Sequence, residues 1–259
     1  MSKLLCSLCL LFLFSTTAFS QKIITTKRVP KPTVQRDTLS HWTKKNQIGF
    51  DISEIAFLNW NAGGTSSISG LIKSKFTRVY TKENYNWTNE LVMRYGLNKQ
   101  DGIELRKTED AFQYNTAFGY RTDTISNWYY TAKLNFNTQF TEGYSYPNTS
   151  TAVSKLFAPA YLFVGIGAEY ATKEKNKLLY ISPFTSKMTF VLDQRLANLG
   201  SFGVVKATYD SEGNLLTPGE KSKIELGFLI TALYKKEILK NIILENRISL
   251  YSDYINRFG

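Results

Sequence analysis

Hydrophobic and polar residues alternate with a period of two from about position 46 onward. Over 85–99 the odd positions are Tyr85, Trp87, Asn89, Leu91, Met93, Tyr95 and Leu97, and the even ones are Asn86, Thr88, Glu90, Val92, Arg94, Gly96 and Asn98. One face is mostly apolar and the other mostly polar, which predicts a strand. The pattern recurs over 127–141, where Trp128, Tyr130, Ala132, Leu134, Phe136 and Phe140 oppose Asn127, Tyr129, Thr131, Lys133, Asn135, Asn137 and Gln139. It returns over 223–234, where Ile224, Leu226, Phe228, Ile230, Ala232 and Tyr234 oppose Glu225, Gly227 and Thr231. Over 242–254, Glu245, Arg247, Ser249 and Asp253 form a polar row opposite Leu244, Ile248 and Leu250. Weaker runs over 48–57, 67–80, 112–120, 162–170 and 178–191 complete nine predicted strands.

These strands run to about 12–15 residues, well beyond the usual five or six of globular sheets. A tilted strand crosses a bilayer in about 9–11 residues. The mid-strand charges Glu90, Arg94, Lys133, Glu225, Glu245 and Arg247 fall on one face only. A lipid-facing apolar surface around a polar lumen accounts for both faces. A soluble sandwich or lipocalin-like barrel would use shorter strands and turn the apolar face inward. The predicted fold is therefore an all-β, antiparallel, up-and-down transmembrane β-barrel.

The connections support an outer-membrane layout. Those at 81–84, 121–126, 171–177 and 235–241 are short. Those at 100–109, 142–159 and 192–222 are longer, with 61–65 the exception. Outer-membrane barrels have short periplasmic turns and longer extracellular loops. Tyr80, Tyr85, Trp87, Tyr120, Trp128, Tyr170, Tyr180 and Tyr234 border the short turns and form a predicted aromatic girdle. Apolar rings with a polar tip favour the membrane interface.

Composition then fixes the compartment. The chain has 259 residues, 16 Tyr, 17 Phe, 4 Trp and a formal net charge of +11. Residues 1–20 read as a secretory signal, with Lys3, an apolar run over 4–14 and Ala18-Phe19-Ser20 before Gln21. Both cysteines, Cys6 and Cys9, lie inside it, so the mature chain carries no disulfide, thiolate metal site or cysteine nucleophile. Residues 21–46 hold Lys22, Lys27, Arg28, Lys31, Arg36, Lys44 and Lys45 against Asp37, with Pro30 and Pro32. This stretch reads as a basic periplasmic leader, either a solvated linker or a segment that docks on acidic groups such as lipid phosphates. The barrel is assigned to 47–259. An exported chain of this kind has no expected nucleic-acid partner.

Phe57-Leu58-Asn59-Trp60-Asn61-Ala62-Gly63-Gly64 followed by Ser66-Ser67 resembles the Asn-Trp-x-x-Gly-Gly signature of a Bacteroidota family, domain of unknown function 3078. Residues 157–161 (FAPAY), 179–187 (LYISPFTSK), 193–196 (DQRL) and 200–204 (GSFGV) are similar to the same family, in the same order. The resemblance implies an outer-membrane β-barrel of Bacteroidota with no assigned activity. Members of that family continue with further strands, and single-chain bacterial barrels have even strand counts. Nine strands leave an open edge, so the sequence is expected to be a C-terminally truncated fragment.

Candidate chemistry is sparse. Asn59, Trp60, Gly63 and Gly64 read as a turn motif, the glycines permitting positive φ and Asn59 capping the turn. The single histidine, His41, stands in the leader beside Trp42, and no Gly-x-Ser-x-Gly is present. Asp210-Ser211-Glu212-Gly213-Asn214 alternates oxygen ligands but lacks a distal bidentate carboxylate, and reads as a polar hairpin turn. No cofactor, metal site or enzymatic activity is expected. The function class is a passive pore for small solutes, or alternatively a non-conducting structural or interaction barrel presenting extracellular loops. The partners expected are outer-membrane lipid and unidentified outer-membrane or periplasmic proteins.

Overall fold

The computed structural model describes residues 40–57, 63–174 and 176–254. The chain divides into 1–39 and 40–259. The expected signal and most of the leader therefore lie outside the described residues, as do Asn59 and Trp60.

Nine long strands form one antiparallel sheet in plain sequence order: β1 (Trp42–Ile55), β2 (Ser67–Lys82), β3 (Tyr85–Gln100), β4 (Arg106–Tyr120), β5 (Trp128–Thr138), β8 (Ala160–Ala171), β9 (Lys177–Phe190), β12 (Ser222–Leu239) and β13 (Ile242–Asp253). Two small hairpins, β6 (Gly143–Tyr144) with β7 (Ala152–Ser154) and β10 (Thr208–Tyr209) with β11 (Leu215–Thr217), sit inside the two longest connections. Among the described residues β1 pairs only with β2 and β13 only with β12, so the sheet is open.

β1 begins at Trp42, ahead of the expected boundary at 47. The Trp42 ring packs 5.3 Å from Tyr80, its cross-strand partner, and 5.7 Å from Trp87. This aromatic cluster carries the strand into a segment whose Lys44 and Lys45 read as leader.

Register runs unbroken across most of the sheet, so the faces follow from parity. Trp42, Tyr80, Trp87 and Phe118 lie in one cross-strand row. Phe50, Ile72 and Tyr95 lie in another, as do Ala132 and Ile166, and Ile230 and Leu250. That face is apolar on every strand. The opposite face carries Asp51, Lys73, Glu90, Lys133, Glu169, Lys187 and Glu225.

The irregularity that changes a face in mid-strand lies on β9, whereas the one between Gly96 and Leu97 shifts only the first residues of β4. Ile166 pairs with Phe184, and Ala168 with Ile181, so β9 holds one residue more than β8 across the same step. This is a β-bulge at Pro183, a residue with no N–H for the ladder. Ser182 Oγ fills in, donating to the carbonyls of Ile166 at 2.9 Å and Phe184 at 3.1 Å. The extra residue reverses parity along the first part of β9. Leu179 and Ile181 join the apolar face, and Tyr180 turns to the polar one.

Turns at the β2–β3 and β12–β13 ends are two residues long, 83–84 and 240–241, and Glu83 and Asn241 take positive φ of 47° and 64°. The opposite ends hold the connections 139–159 and 191–221. The 101–105 connection is shorter than the expected 100–109, because β3 and β4 each extend into it.

The two longest connections pack together into a cap. Helix α1 (Gln194–Asn198) starts at Asp193, whose carboxylate accepts from the Leu196 N–H at 3.0 Å, an N-cap. Ala158, Val191, Leu196, Ala197 and Val204 form its small buried core. Asn198 Oδ1 accepts from the Gly219 N–H at 2.9 Å, and Arg195 donates to the Ala152 carbonyl. The cap is tied to β4 through Asp110, which accepts from Phe140 N at 2.8 Å and Thr141 N at 2.9 Å.

Candidate functional site

The polar face of the sheet is the candidate site. On it, all six mid-strand charges singled out in the sequence occur together, and each has a counter-charge. Glu90 pairs with Lys75 at 2.7 Å, and Arg94 with Glu109 at 2.5 Å. Lys133 pairs with Glu169. Glu225 binds Lys187 at 3.0 Å and Lys223 at 3.4 Å, and Glu245 binds Arg247 at 2.9 Å and Lys235 at 3.3 Å. Asp51 and Lys73 add a further pair at 2.6 Å. Most of these pairs bridge neighbouring strands, so the charges form rungs across the sheet.

Amides and hydroxyls fill the spaces between rungs. Asn135 donates to Asn115, its direct cross-strand partner, and Asn137 donates to Asn135. Thr185 Oγ1 donates to Ser182 Oγ at 2.8 Å. The Lys133 ammonium lies 4.0 Å from the centre of the Tyr180 ring, a cation–π contact. A cavity of about 290 Å³ takes lining from Lys133 of β5, Tyr180 of β9, Leu229 of β12 and Ser249 of β13. On a flat sheet β5 and β13 would stand about 19 Å apart, four strand spacings. One small cavity touching both means that the polar face is concave.

Burial is inverted relative to a water-soluble sheet. Thr131, Ser182, Thr185, Thr189 and Glu225 on the polar face are buried. On the apolar face Ile48 is 76% exposed, Phe184 66%, Ile166 62% and Leu250 60%. Away from the strand ends that face carries no charge among the described residues. Its few polar groups satisfy each other: Trp87 Nε1 donates to Thr116 Oγ1 at 2.8 Å, and Thr116 Oγ1 and Tyr114 OH donate to Asn89 Oδ1 at 2.9 and 3.0 Å.

Seven of the eight expected girdle residues, Tyr80, Tyr85, Trp87, Tyr120, Trp128, Tyr170 and Tyr234, lie on the apolar face near the short turns. Trp128 packs on Tyr170 at 5.4 Å and Tyr85 on Tyr120 at 5.2 Å. Tyr180 is the correction. It is 2% exposed and sits on the polar face opposite Glu169 and Thr231, because of the bulge at Pro183.

The turn motif is described only in part. Gly63 and Gly64 take φ of 83° and 143°, as their residue type predicts. A Cβ on Gly64 would meet the Phe57 ring at 2.8 Å. His41 lies just ahead of β1, its ring edge-on to Tyr80 at 5.8 Å. Asp210 closes the β10–β11 hairpin by accepting from the N–H groups of Glu212 at 2.9 Å and Asn214 at 2.8 Å. Its carboxylate thus serves the polar turn expected there, and these bonds, with the Asn214 side chain first, lower its pKa.

The cap was not foreseen. Its helix had signals in the sequence, Asp193 at the N-cap and Gly200 just past the end. In the cap, Lys155 lies 3.1 Å from Asp193 and 3.4 Å from Glu142. The Lys155 pKa is raised by these two carboxylates, Asp193 first. The Tyr144 hydroxyl, donating at 2.6 Å, and then Lys155 lower that of Glu142.

Residues 52–144 match the model of a family described as a protein of unknown function, DUF3078. The match runs from near the end of β1 to β6. No curated protein and no solved structure matches the chain.

Proposed function

We propose that this chain, which carries the domain of unknown function 3078 over 52–144, is an outer-membrane β-barrel protein whose polar face lines a lumen for passive passage of small solutes. The inverted burial carries the reading. A sheet that exposes Ile48, Ile166, Phe184 and Leu250 while burying Thr131, Thr185 and Glu225 suits a hydrocarbon solvent outside and water inside. In water that apolar face would be an aggregation hazard.

Three further features support it. From Tyr85 to Leu97 the apolar row of β3 spans about 40 Å along the strand, or about 28 Å at a tilt of 45°, close to a bilayer core. Charges on that face occur only near strand ends, among them Arg78 and Lys99, which donate to the carbonyls of Thr77 and Ile103. Aromatic rings gather at the short-turn rim, which the proposal assigns to the periplasmic side.

Closure in lipid requires β1 and β13 to be paired. The two edge strands run in the same direction, since nine antiparallel strands separate nothing but an even number of reversals. Outer-membrane lipid and unidentified outer-membrane or periplasmic proteins are the partners this reading implies, and no chemical step is assigned to the protein.

A second reading, a non-conducting barrel that presents its loops, rests on the cap, where 139–159 and 191–221 pack on each other at one rim. Conductance of the purified full-length protein in planar bilayers separates the two. Discrete, ohmic openings support the pore, and a membrane-inserted protein with no conductance refutes it. Recovery from the soluble periplasmic fraction would overturn both.

A further inference from the structure

We propose that the short-turn end of the polar face is a binding site for a small hydroxylated carboxylate. The site goes beyond the pore reading, because binding there needs no passage.

A cavity of about 200 Å³ opens at that end, walled by residues of β3, β4, β5, β8 and β9. A water needs about 10–15 Å³ of such space, so the cavity holds far more than a bare carboxylate group. Its room comes from Ala117, Gly119 and Ala171, small residues where other positions of the same face carry Lys, Glu or Asn.

Two cations border it, Arg121 at the end of β4 and Lys173 in the turn after β8. Neither forms an ion pair among the described residues, in contrast to the mid-strand charges. The Arg121 guanidinium stacks 5.6 Å from the Tyr129 ring centre. Its hydrogen bonds are long and go only to carbonyls, Glu83 O at 3.4 Å and Ser126 O at 3.5 Å. A guanidinium over a ring with only long bonds to carbonyls keeps its N–H fork for a carboxylate.

Asp123 feels the Arg121 charge but is engaged within its own turn. It accepts from the Ser126 N–H at 2.6 Å and the Ile125 N–H at 2.8 Å. Glu169 is the one carboxylate in the wall, and Lys133 neutralises it. The cavity is thus net positive, and an anion is the complementary charge.

The rest of the wall selects hydroxyls. Asn86 donates to Thr81 Oγ1 at 3.2 Å and accepts from Thr88 Oγ1 at 3.2 Å, so its amide is held in place before any ligand arrives. Asn127 and Thr131 face the same space. Fixed amides and hydroxyls pair with ligand hydroxyls, and an unmatched one is costly. Charge plus hydroxyl partners describes an aldonic or uronic acid type of molecule better than a simple anion.

The test is calorimetric titration of the full chain in detergent micelles with gluconate, glucose and acetate. Gluconate is expected to bind, with glucose and acetate each at least tenfold weaker. Arg121→Gln and Lys173→Glu are each expected to weaken gluconate at least tenfold. Lys173 lies in an exposed turn, so Lys173→Glu decides the matter if Arg121→Gln does not fold. Glucose binding as tightly as gluconate overturns the charge recognition, and acetate binding as tightly overturns the hydroxyl recognition. Unchanged gluconate affinity in folded Lys173→Glu overturns the site. Because no conductance is read, failure here is distinct from failure of the pore.

Discussion

Glu225 on β12 stands directly opposite Lys187 on β9, with carboxylate and ammonium 3.0 Å apart. Glu225 is 8% exposed, and Lys223 adds a second ammonium at 3.4 Å. Such a carboxylate is held by its partners, because a buried charge without one is costly. Glu225→Ala, which leaves two cations facing an emptied site, is expected to cost about 1–3 kcal/mol, less than a fully buried pair because Lys187 is partly open to water. Glu225→Leu with Lys187→Met is expected to recover most of that loss. Urea midpoints of the micelle-folded protein measure both. A double variant no more stable than Glu225→Ala would show that the pair is a net contributor and not merely tolerated.

Ile166 discriminates between solvents. It lies near the middle of β8 on the apolar face and is 62% exposed. In water, Ile166→Arg changes stability by no more than about 0.5 kcal/mol, as exposed sites generally do. At the middle of a bilayer the same change costs about 2–4 kcal/mol. Folding titrations in lipid vesicles give the number. A cost near zero in vesicles removes the membrane reading of this face.

Much of the sheet was legible because a strand's faces follow from parity alone. The seven odd residues of 85–97 all lie on the apolar face, and the six mid-strand charges all share the other. Tyr180 was not legible, since one inserted residue near Pro183 reverses every position before it on β9, and proximity to a turn says nothing about parity. The cap was missed for a different reason. Its core is five apolar side chains scattered from Ala158 to Val204, with no period to detect, and its helix of five residues is too short to show one. The anion cavity depended on small residues at Ala117, Gly119 and Ala171, which read in sequence only as weak strand formers.

The bulge itself is testable at Gly167. This residue pairs with Thr131 on one side and falls in the skipped step of the β8–β9 register on the other. A Cβ there would overlap the Ile181 carbonyl oxygen and the Ser182 Cα, both backbone atoms that cannot swing aside. Gly167→Ala is therefore expected to destabilise by about 1–3 kcal/mol or more through overpacking. Gly119→Ala, whose nearest neighbour would be Tyr129 Cδ1 at 3.4 Å, is expected to be tolerated. Equal thermal midpoints for the two variants would mean that β9 relaxes around the bulge.

The cap should loosen in acid, through Asp193. The Leu196 N–H and then Lys155 hold its carboxyl below the ordinary value of 3.8. A carboxylate whose pKa is depressed on folding contributes stability that is complete well above the unfolded value and is lost as the pH falls through the folded one. The loss therefore begins as the pH drops below about 5 and grows toward pH 3 and beneath. Asp193→Asn keeps an acceptor for the Leu196 N–H but removes the charge, so its cap stability is expected to be insensitive to this range as far as this site contributes. Asp193→Ala removes the acceptor and costs about 1 kcal/mol at neutral pH, the usual worth of an N-cap. Hydrogen-exchange protection factors of the Leu196 and Ala197 amides at pH 6 and pH 3 read the local opening directly. The native protein should lose protection at the lower pH by more than Asp193→Asn does. Equal losses in the two would mean that the N-cap charge does not hold helix α1 in place.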